Sequence, residues 1–281
     1  DEIAVTADDY PAAIGHFQQR RFYGGTVNGR QRVWGSTLGT EGTFTSHRPV
    51  QPDDRIRLDV PSCERAVIRH FVQTTHLWTL TSGSEVRISA VNEDALTPST
   101  VSTRAVSTIG SSIVRPIVAS SNVLFVGDRD GHVYELNPQQ SQVSPPEDLS
   151  ARATHLFDGN KPLDSAQMKA PYPVEWFVST DGELLGLTYM PGQNIRAWHV
   201  HTTSGYVESI CTIPEGGEDR LYALIRRTVD GDTVRYVERL ASTDTPDAFE
   251  DWTLLDSYVT YDGAAISTVT GADHLEGRTD V

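Results

Sequence analysis

Five times along this chain a short strand-like run is followed, across a tight polar turn, by a second such run, and this recurrence limits the fold more than any single residue does. Phe22-Tyr23-Gly24-Gly25 and Arg32-Val33-Trp34 flank Val27-Asn28-Gly29-Arg30, where the Asn-Gly pair suits the positive φ angles of a two-residue hairpin. The same arrangement surrounds Thr81-Ser82-Gly83-Ser84, Asp128-Arg129-Asp130-Gly131, Pro191-Gly192-Gln193-Asn194 and Val229-Asp230-Gly231-Asp232. Apolar residues almost nowhere recur at helical spacing, so the chain reads as all-β. A third run precedes each pair, at residues 14–17, 67–72, 114–118, 174–178 and 209–213. With Phe22, Leu77, Leu124, Leu185 and Leu221 as equivalent positions, the spacings are 55, 47, 61 and 36 residues, around the roughly 40 to 50 residues of a propeller blade. A small twisted sheet cannot bury both faces alone, and radial stacking of such sheets buries them and shields their edges. A β-propeller with about five blade-like repeats is therefore the predicted architecture, with a β-sandwich as the alternative. The longest interval holds residues 145–157, predicted as a short helical turn or a loop leaving the repeats.

Composition fits short elements joined by many turns, since hydrophobic residues make up 38% of the 281 and the chain holds 22 Gly and 15 Pro. The 23 basic residues face 38 acidic ones, a formal net charge of −15. That balance excludes a protein that grips nucleic-acid phosphates over its whole surface and leaves room only for a local Arg patch. No run approaches the ~18 apolar residues of a membrane helix, so no membrane-spanning segment is expected. The start Asp1-Glu2-Ile3 also lacks the basic and apolar regions of a signal peptide. Cys63 and Cys211 are too few for a disulfide framework and too distant in sequence for a metal knuckle, and are expected as small buried side chains. A propeller-like domain is expected over residues 1–242. Residues 243–281, which include Trp252-Thr253-Leu254-Leu255 and Tyr258-Val259-Thr260-Tyr261, are expected as a closing strand and a crossing into a further domain. The start without Met and the ending Gly277-Arg278-Thr279-Asp280-Val281 lead to the expectation that the sequence is excerpted from a longer polypeptide.

Chemistry-bearing motifs are sparse. No nucleophile elbow, phosphate loop, dinucleotide fingerprint or zinc-protease helix occurs, so no catalytic residue and no cofactor is assigned. Asp128-Arg129-Asp130-Gly131 lacks the third acidic position and distal Glu of a calcium loop. Glu215-Gly216-Gly217-Glu218-Asp219 sets three carboxylates around a flexible Gly pair, poor preorganisation for the paired acids of glycoside hydrolysis. Both read as turns, as does Ser179-Thr180-Asp181-Gly182. His199-Val200-His201 lies at the end of a strand, where residues two apart share a face. His199 and His201 are thus the candidate metal ligands, without an identifiable third, set against a solvated pair. Gln18, Gln19, Arg20 and Arg21 open a strand as candidate contacts to DNA phosphate or a partner chain, set against an ordinary exposed turn. Trp34, Trp78, Trp176, Trp198 and Trp252 are candidates for a binding rim, expected instead to pack within the repeats.

Several phrases, taken in order, resemble the tail nozzle proteins of short-tailed bacteriophages, also called tail tubular protein B. They are Phe17-Gln18-Gln19-Arg20-Arg21-Phe22-Tyr23-Gly24-Gly25-Thr26 with Arg32-Val33-Trp34-Gly35-Ser36, then Leu80-Thr81-Ser82-Gly83-Ser84-Glu85-Val86-Arg87-Ile88. Residues 148–157, Ala197-Trp198-His199-Val200-His201-Thr202 and Asp219-Arg220-Leu221-Tyr222-Ala223-Leu224 continue it. No single phrase is a chemical signature, and the specificity lies in their combination.

The resemblance implies a structural, non-enzymatic protein of the virion tail, assembled in the host cytoplasm. It implies a propeller-like region in a ring of several copies at the distal end of the tail tube, through which viral DNA leaves. The implied partners are other copies of the chain, an adjacent tube or adaptor protein, tail fibres and the DNA in transit. An acidic lining suits such a conduit, because it repels the duplex instead of holding it. The competing expectations are a carbohydrate-active propeller enzyme, which needs convergent carboxylates in a pocket, and a receptor-binding tail module with exposed aromatics at a rim.

Overall fold

The computed structural model describes residues 9–61, 66–91, 95–138, 144–242, 257–261, 263–268 and 270–271. Among these residues alternating polarity and frequent turns give nineteen strands in five antiparallel sheets, each contiguous in the chain and wound as a simple meander. The first sheet holds β1 (Ala13–Phe17), β2 (Arg20–Gly24), β3 (Arg32–Gly35) and β4 (Ile56–Asp59). The second holds β5 (Ile68–Gln73), β6 (Leu77–Thr81), β7 (Glu85–Ala90) and β8 (Val101–Ser107), and the third β9 (Ile117–Ala119), β10 (Asn122–Val126), β11 (Val133–Leu136) and β12 (Glu147–Asp148). The fourth holds β13 (Pro162–Met168), β14 (Val174–Ser179), β15 (Leu184–Met190) and β16 (Ile195–His201). The fifth has three strands, β17 (Tyr206–Glu215), β18 (Glu218–Val229) and β19 (Asp232–Arg239). The fold is all-β, and no helix among the described residues is long and apolar enough to cross a membrane.

The chain divides into two compact units between Asp158 and Gly159. In the first unit the second sheet is buried on both faces. Ile68, Leu77, Val86 and Ile88 pack with Phe22, Val33 and Ile56 of the first sheet, while Val72, Trp78 and Leu80 pack with Val123, Phe125 and Leu136 of the third. Two-sided burial explains why β6 and β10 are buried at every position and read as near-continuous apolar runs. Each fully buried Val, Leu, Ile or Phe among these contributes about 1.5–3 kcal/mol by leaving water. Polar staples add direction: Arg69 Nη1 donates to Ser111 O at 2.8 Å and pairs with Asp128, and His70 Nε2 meets Ser112 O at 3.0 Å. In the second unit Trp176, Val178 and Leu184 of the fourth sheet pack with Val207, Ile210, Leu221 and Ile225 of the fifth. The link between those sheets is fixed by Arg227, only 4% exposed, which forks onto Glu238 at 2.6 and 2.8 Å and also donates to Ser204 O and Thr203 Oγ1.

Several expectations are corrected in detail. Asn28-Gly29 is not a two-residue hairpin, because residues 25–31 form the β2–β3 connection and the positive φ, 76°, falls on Gly25. A Cβ on Gly25 would lie 2.3 Å from the Ile68 carbonyl oxygen, so the close approach of the two sheets requires glycine there. In the fourth sheet the sequence pattern missed β13, and Leu185 lies on the third strand while Phe22, Leu77, Leu124 and Leu221 lie on the second. Second strands begin at Arg20, Leu77, Asn122, Val174 and Glu218, so the true intervals of 57, 45, 52 and 44 residues are more even than the sequence spacing suggested. Residues 145–157 supply both β12 and a single 3-10 turn at Thr154–Leu156. Cys211 is exposed on β17, not buried, and Cys63 lies outside the described residues. The expected closing segment around Trp252 also lies outside them.

Candidate functional site

Gln18 and Gln19 are the two central residues of the β1–β2 turn, with φ of 45° and 60°, the paired positive values of a type I′ hairpin. Gln18 Oε1 accepts a hydrogen bond from Leu96 N at 2.8 Å, and Gln19 O accepts one from Gly39 N at 3.0 Å. Arg20, 1% exposed, turns inward. Its Nη1 donates to Ser36 O and Asp54 O, both at 2.6 Å, and its Nη2 to Pro52 O at 2.7 Å. Arg21 Nε donates to His16 Nε2 at 3.0 Å, and its Nη2 pairs with Glu41. The tetrapeptide expected to meet phosphate or a partner is therefore committed to the framework, because each of its side chains or carbonyls ties the hairpin to a loop.

The loop that Arg20 holds carries a cluster the sequence reading missed. His47, Asp53 and Asp54 are the one group of three possible metal ligands among the described residues. Asp54, though, accepts from His47 N at 2.9 Å, Gln51 N at 2.8 Å and His47 Nδ1 at 2.6 Å. Burial raises its carboxyl, and these bonds overcome burial to hold it below the usual carboxylate range. The cluster is a loop staple. Nothing in the seven-residue separation of His47 and Asp54 in sequence distinguishes them from solvated loop residues.

His199 and His201 meet as their spacing predicts. Both project from the same face of β16, the edge strand of the fourth sheet, with His199 Nδ1 2.9 Å from His201 Nε2. Each ring also stands edge-on to Trp176, at centroid separations of 5.4 and 5.1 Å. Register explains how an edge-strand imidazole reaches an indole two strands away: Trp176, Gly186 and His199 lie opposite one another on β14, β15 and β16. Gly186 has no side chain to intervene, and a Cβ there would lie 2.0 Å from His199 Cε1. The indole is fixed in turn by Nε1 donating to Met168 Sδ at 2.9 Å. Burial lowers the pKa of both imidazoles, with the neighbouring His201 lowering His199 further. His201 also lies on the wall of a cavity of about 680 Å³, together with Thr203, Val207, Leu221, Ile225 and Tyr236. No sequence pattern announces this cavity, since its walls come from two sheets and the segment at Tyr258.

The acidic candidates do not converge. Glu215 pairs with Tyr222 and Arg239, Glu218 with Arg220 and Ser242, and Asp219 accepts from Lys169 N at 2.7 Å and Ala170 N at 3.2 Å. Asp128 is held by Arg69, Asp130 by Tyr134 and His132 N, and Asp181 by Asn160. Asp128, Asp130 and Asp181 lie in turns, as expected, whereas at 215–219 only Gly216-Gly217 forms the turn and the three carboxylates stand on the ends of β17 and β18. Among the buried carboxyls not singled out in the sequence are Glu85 and Glu175. Burial pushes Glu175 up to about 7 against the opposing Gln167 hydrogen bond and Lys169 charge, and raises Glu85 as well. Three of the rim candidates, Trp34, Trp78 and Trp176, are buried, and Trp198 is half-buried against Phe177; Trp252 lies outside the described residues.

No protein-family model matches the chain, and no curated protein matches it.

Proposed function

We propose that the chain is a structural component of a phage tail, the propeller-like region of a nozzle ring at the distal end of the tail tube through which viral DNA exits. The observation that carries this reading is where the phrases resembling nozzle proteins fall. Phe17 to Thr26 spans the β1–β2 turn and β2, whose Arg20 grips three loop carbonyls, and Ala197 to Thr202 contains the His199–His201 pair set edge-on to Trp176. Both phrases serve framework contacts, which suits a protein acting through assembly. The acidic turns point the same way, since their carboxylates hold neighbouring backbone and cations and do not face one another across a pocket. Five successive meanders are compatible with blades, whose outer faces serve docking. Partners in this reading are further copies of the chain, a tube or adaptor protein and tail fibres.

Negative-stain imaging of the purified protein and of particles containing it tests the proposal. Rings of cyclic symmetry, six-fold or twelve-fold, are the expected result. A monomer that hydrolyses aryl glycosides would overturn it in favour of a carbohydrate-active enzyme, and a monomer that binds host cells would replace it with a receptor-binding module.

A further inference from the structure

We infer that His199 and His201 form a bidentate chelate for a tetragonal divalent cation, copper(II) first and nickel(II) second, on the edge of the fourth sheet. The inference is independent of the tail reading. It begins with the spacing of the donors: His199 Nδ1 and His201 Nε2 lie 2.9 Å apart. With metal–imidazole bonds of about 2.0–2.1 Å, donors at that separation subtend about 90° at a shared cation, the cis angle of a square-planar or tetragonal complex. A tetrahedral zinc pair would need its donors about 3.3 Å apart with the same bond lengths. The cis spacing is compatible with copper(II), in line with the general preference of imidazole sites for copper over nickel and zinc.

The surroundings fix the rings. Trp176 packs edge-on against both imidazoles, Gly186 leaves the space that the His199 ring fills, and His199 Nε2 faces Thr188 Oγ1 at 3.5 Å. A cation on Nδ1 of His199 leaves its Nε2 as the protonated nitrogen, directed to the Thr188 hydroxyl. On His201 the cation takes Nε2, and Nδ1 carries the proton. The proton shared between the facing nitrogens moves to the ring's other nitrogen through solvent, so a neutral pair binds without net proton release. Burial favours the neutral rings that metal binding requires. The remaining coordination positions fall to water or an anionic ligand, and the cavity that His201 borders gives such a ligand room.

Trp176 is a built-in reporter, because a paramagnetic cation at the pair would sit close to its indole. The full chain is titrated with copper(II) sulfate in a non-coordinating buffer while tryptophan emission and the electron paramagnetic resonance spectrum are followed. One equivalent is expected to remove the emission that Trp176→Phe also removes, and to give a tetragonal spectrum with coupling to imidazole nitrogen. His199→Gln and His201→Gln should each raise the copper(II) concentration for half-quenching at least tenfold, and His47→Gln should leave it unchanged. Zinc(II) should bind more weakly than copper(II). Unaltered quenching in the double variant, or a wild-type copper spectrum without imidazole coupling, overturns the inference. The second readout needs no variant and so stands even where a substitution impairs folding.

Discussion

Arg20 shows how one side chain can organise a stretch of chain with no regular structure of its own. Its fork meets the carbonyls of Ser36 and Asp54 in buried hydrogen bonds and that of Pro52 in a partly buried one. Lysine carries the same charge but cannot present two planar nitrogens to three oxygens. Arg20→Lys is therefore expected to destabilise the protein by about 2–3 kcal/mol, the cost of leaving buried acceptors unmet. Urea unfolding measures the loss, and hydrogen exchange should show it concentrated in residues 36–55. An unchanged midpoint would mean that the loop holds itself. Glu175 argues in the opposite direction, as a buried group that works against the fold when ionised. Its folded carboxyl titrates at about 7 and its ordinary value is 4.5. The folded chain therefore keeps a proton that the unfolded chain releases between those values, so the stability tied to the protonated form is whole below pH 4.5 and is lost as pH rises through 7. A shift of this size corresponds to roughly 3 kcal/mol at pH 8. Glu175→Gln should match the wild type near pH 4 and exceed it in urea midpoint at pH 8, while Glu85, shifted the same way, leaves a residual slope in the variant. Parallel pH profiles for the two proteins would show that Glu175 titrates as an ordinary carboxyl.

Turns decide the sheets' geometry, and the chain uses unexpected residues in them. Gln18-Gln19, Ser120-Ser121 and Asp230-Gly231 each link adjacent strands with two residues of positive φ. Only the last has the composition such turns favour. At Ser120 and Ser121, with φ of 47° and 73°, both residues are exposed and neither is glycine or asparagine. The double change Ser120→Asn with Ser121→Gly should thus stabilise by about 1 kcal/mol, reduced somewhat by the greater freedom glycine gives the unfolded chain. A rise of roughly 2–4 °C in Tm would register it, and a fall would mean that the seryl backbone is not strained. The same elements explain what the sequence disclosed. Strands buried on both faces, such as β6 and β10, announce themselves by composition, and with them came all five hairpin pairs. Outer strands do not: β8 reads Val-Ser-Thr-Arg-Ala-Val-Ser with no fully buried position, and β12 is only Glu147–Asp148. β13 begins with proline and carries Asp164, Ser165 and Gln167, which hid it and displaced the fourth repeat by one strand. The His199–His201 pair was legible because a strand's period of two fixes which side chains share a face. Trp176 and Gly186 were not, because cross-strand register is a property of the folded sheet.

At the scale of the whole chain the deciding quantity is a charge of −15 together with the state of its cations. Many arginines are already neutralised locally: Arg32 by Asp59, Arg69 by Asp128, Arg227 by Glu238, Arg235 by Glu208 and Arg239 by Glu215. Arg20 is buried, and Arg21 is paired with Glu41. These seven of the 23 cations are engaged within the fold, and the balance of the chain as a whole is acidic. A polyanion approaching such a surface meets repulsion that reaches about 8 Å at physiological salt and about 30 Å at 0.01 M. Duplex DNA should accordingly show no mobility shift with this chain at either salt concentration. A binder that works by neutralising phosphates behaves in the opposite way, gaining affinity steeply as salt falls. A shift that strengthens at low salt would reveal a local basic patch and remove the electrostatic argument for a non-retaining conduit. Should the proposed ring form, the same reasoning requires acidic residues, and not arginines, along its bore, because a channel that neutralises phosphates would retain the DNA it has to release.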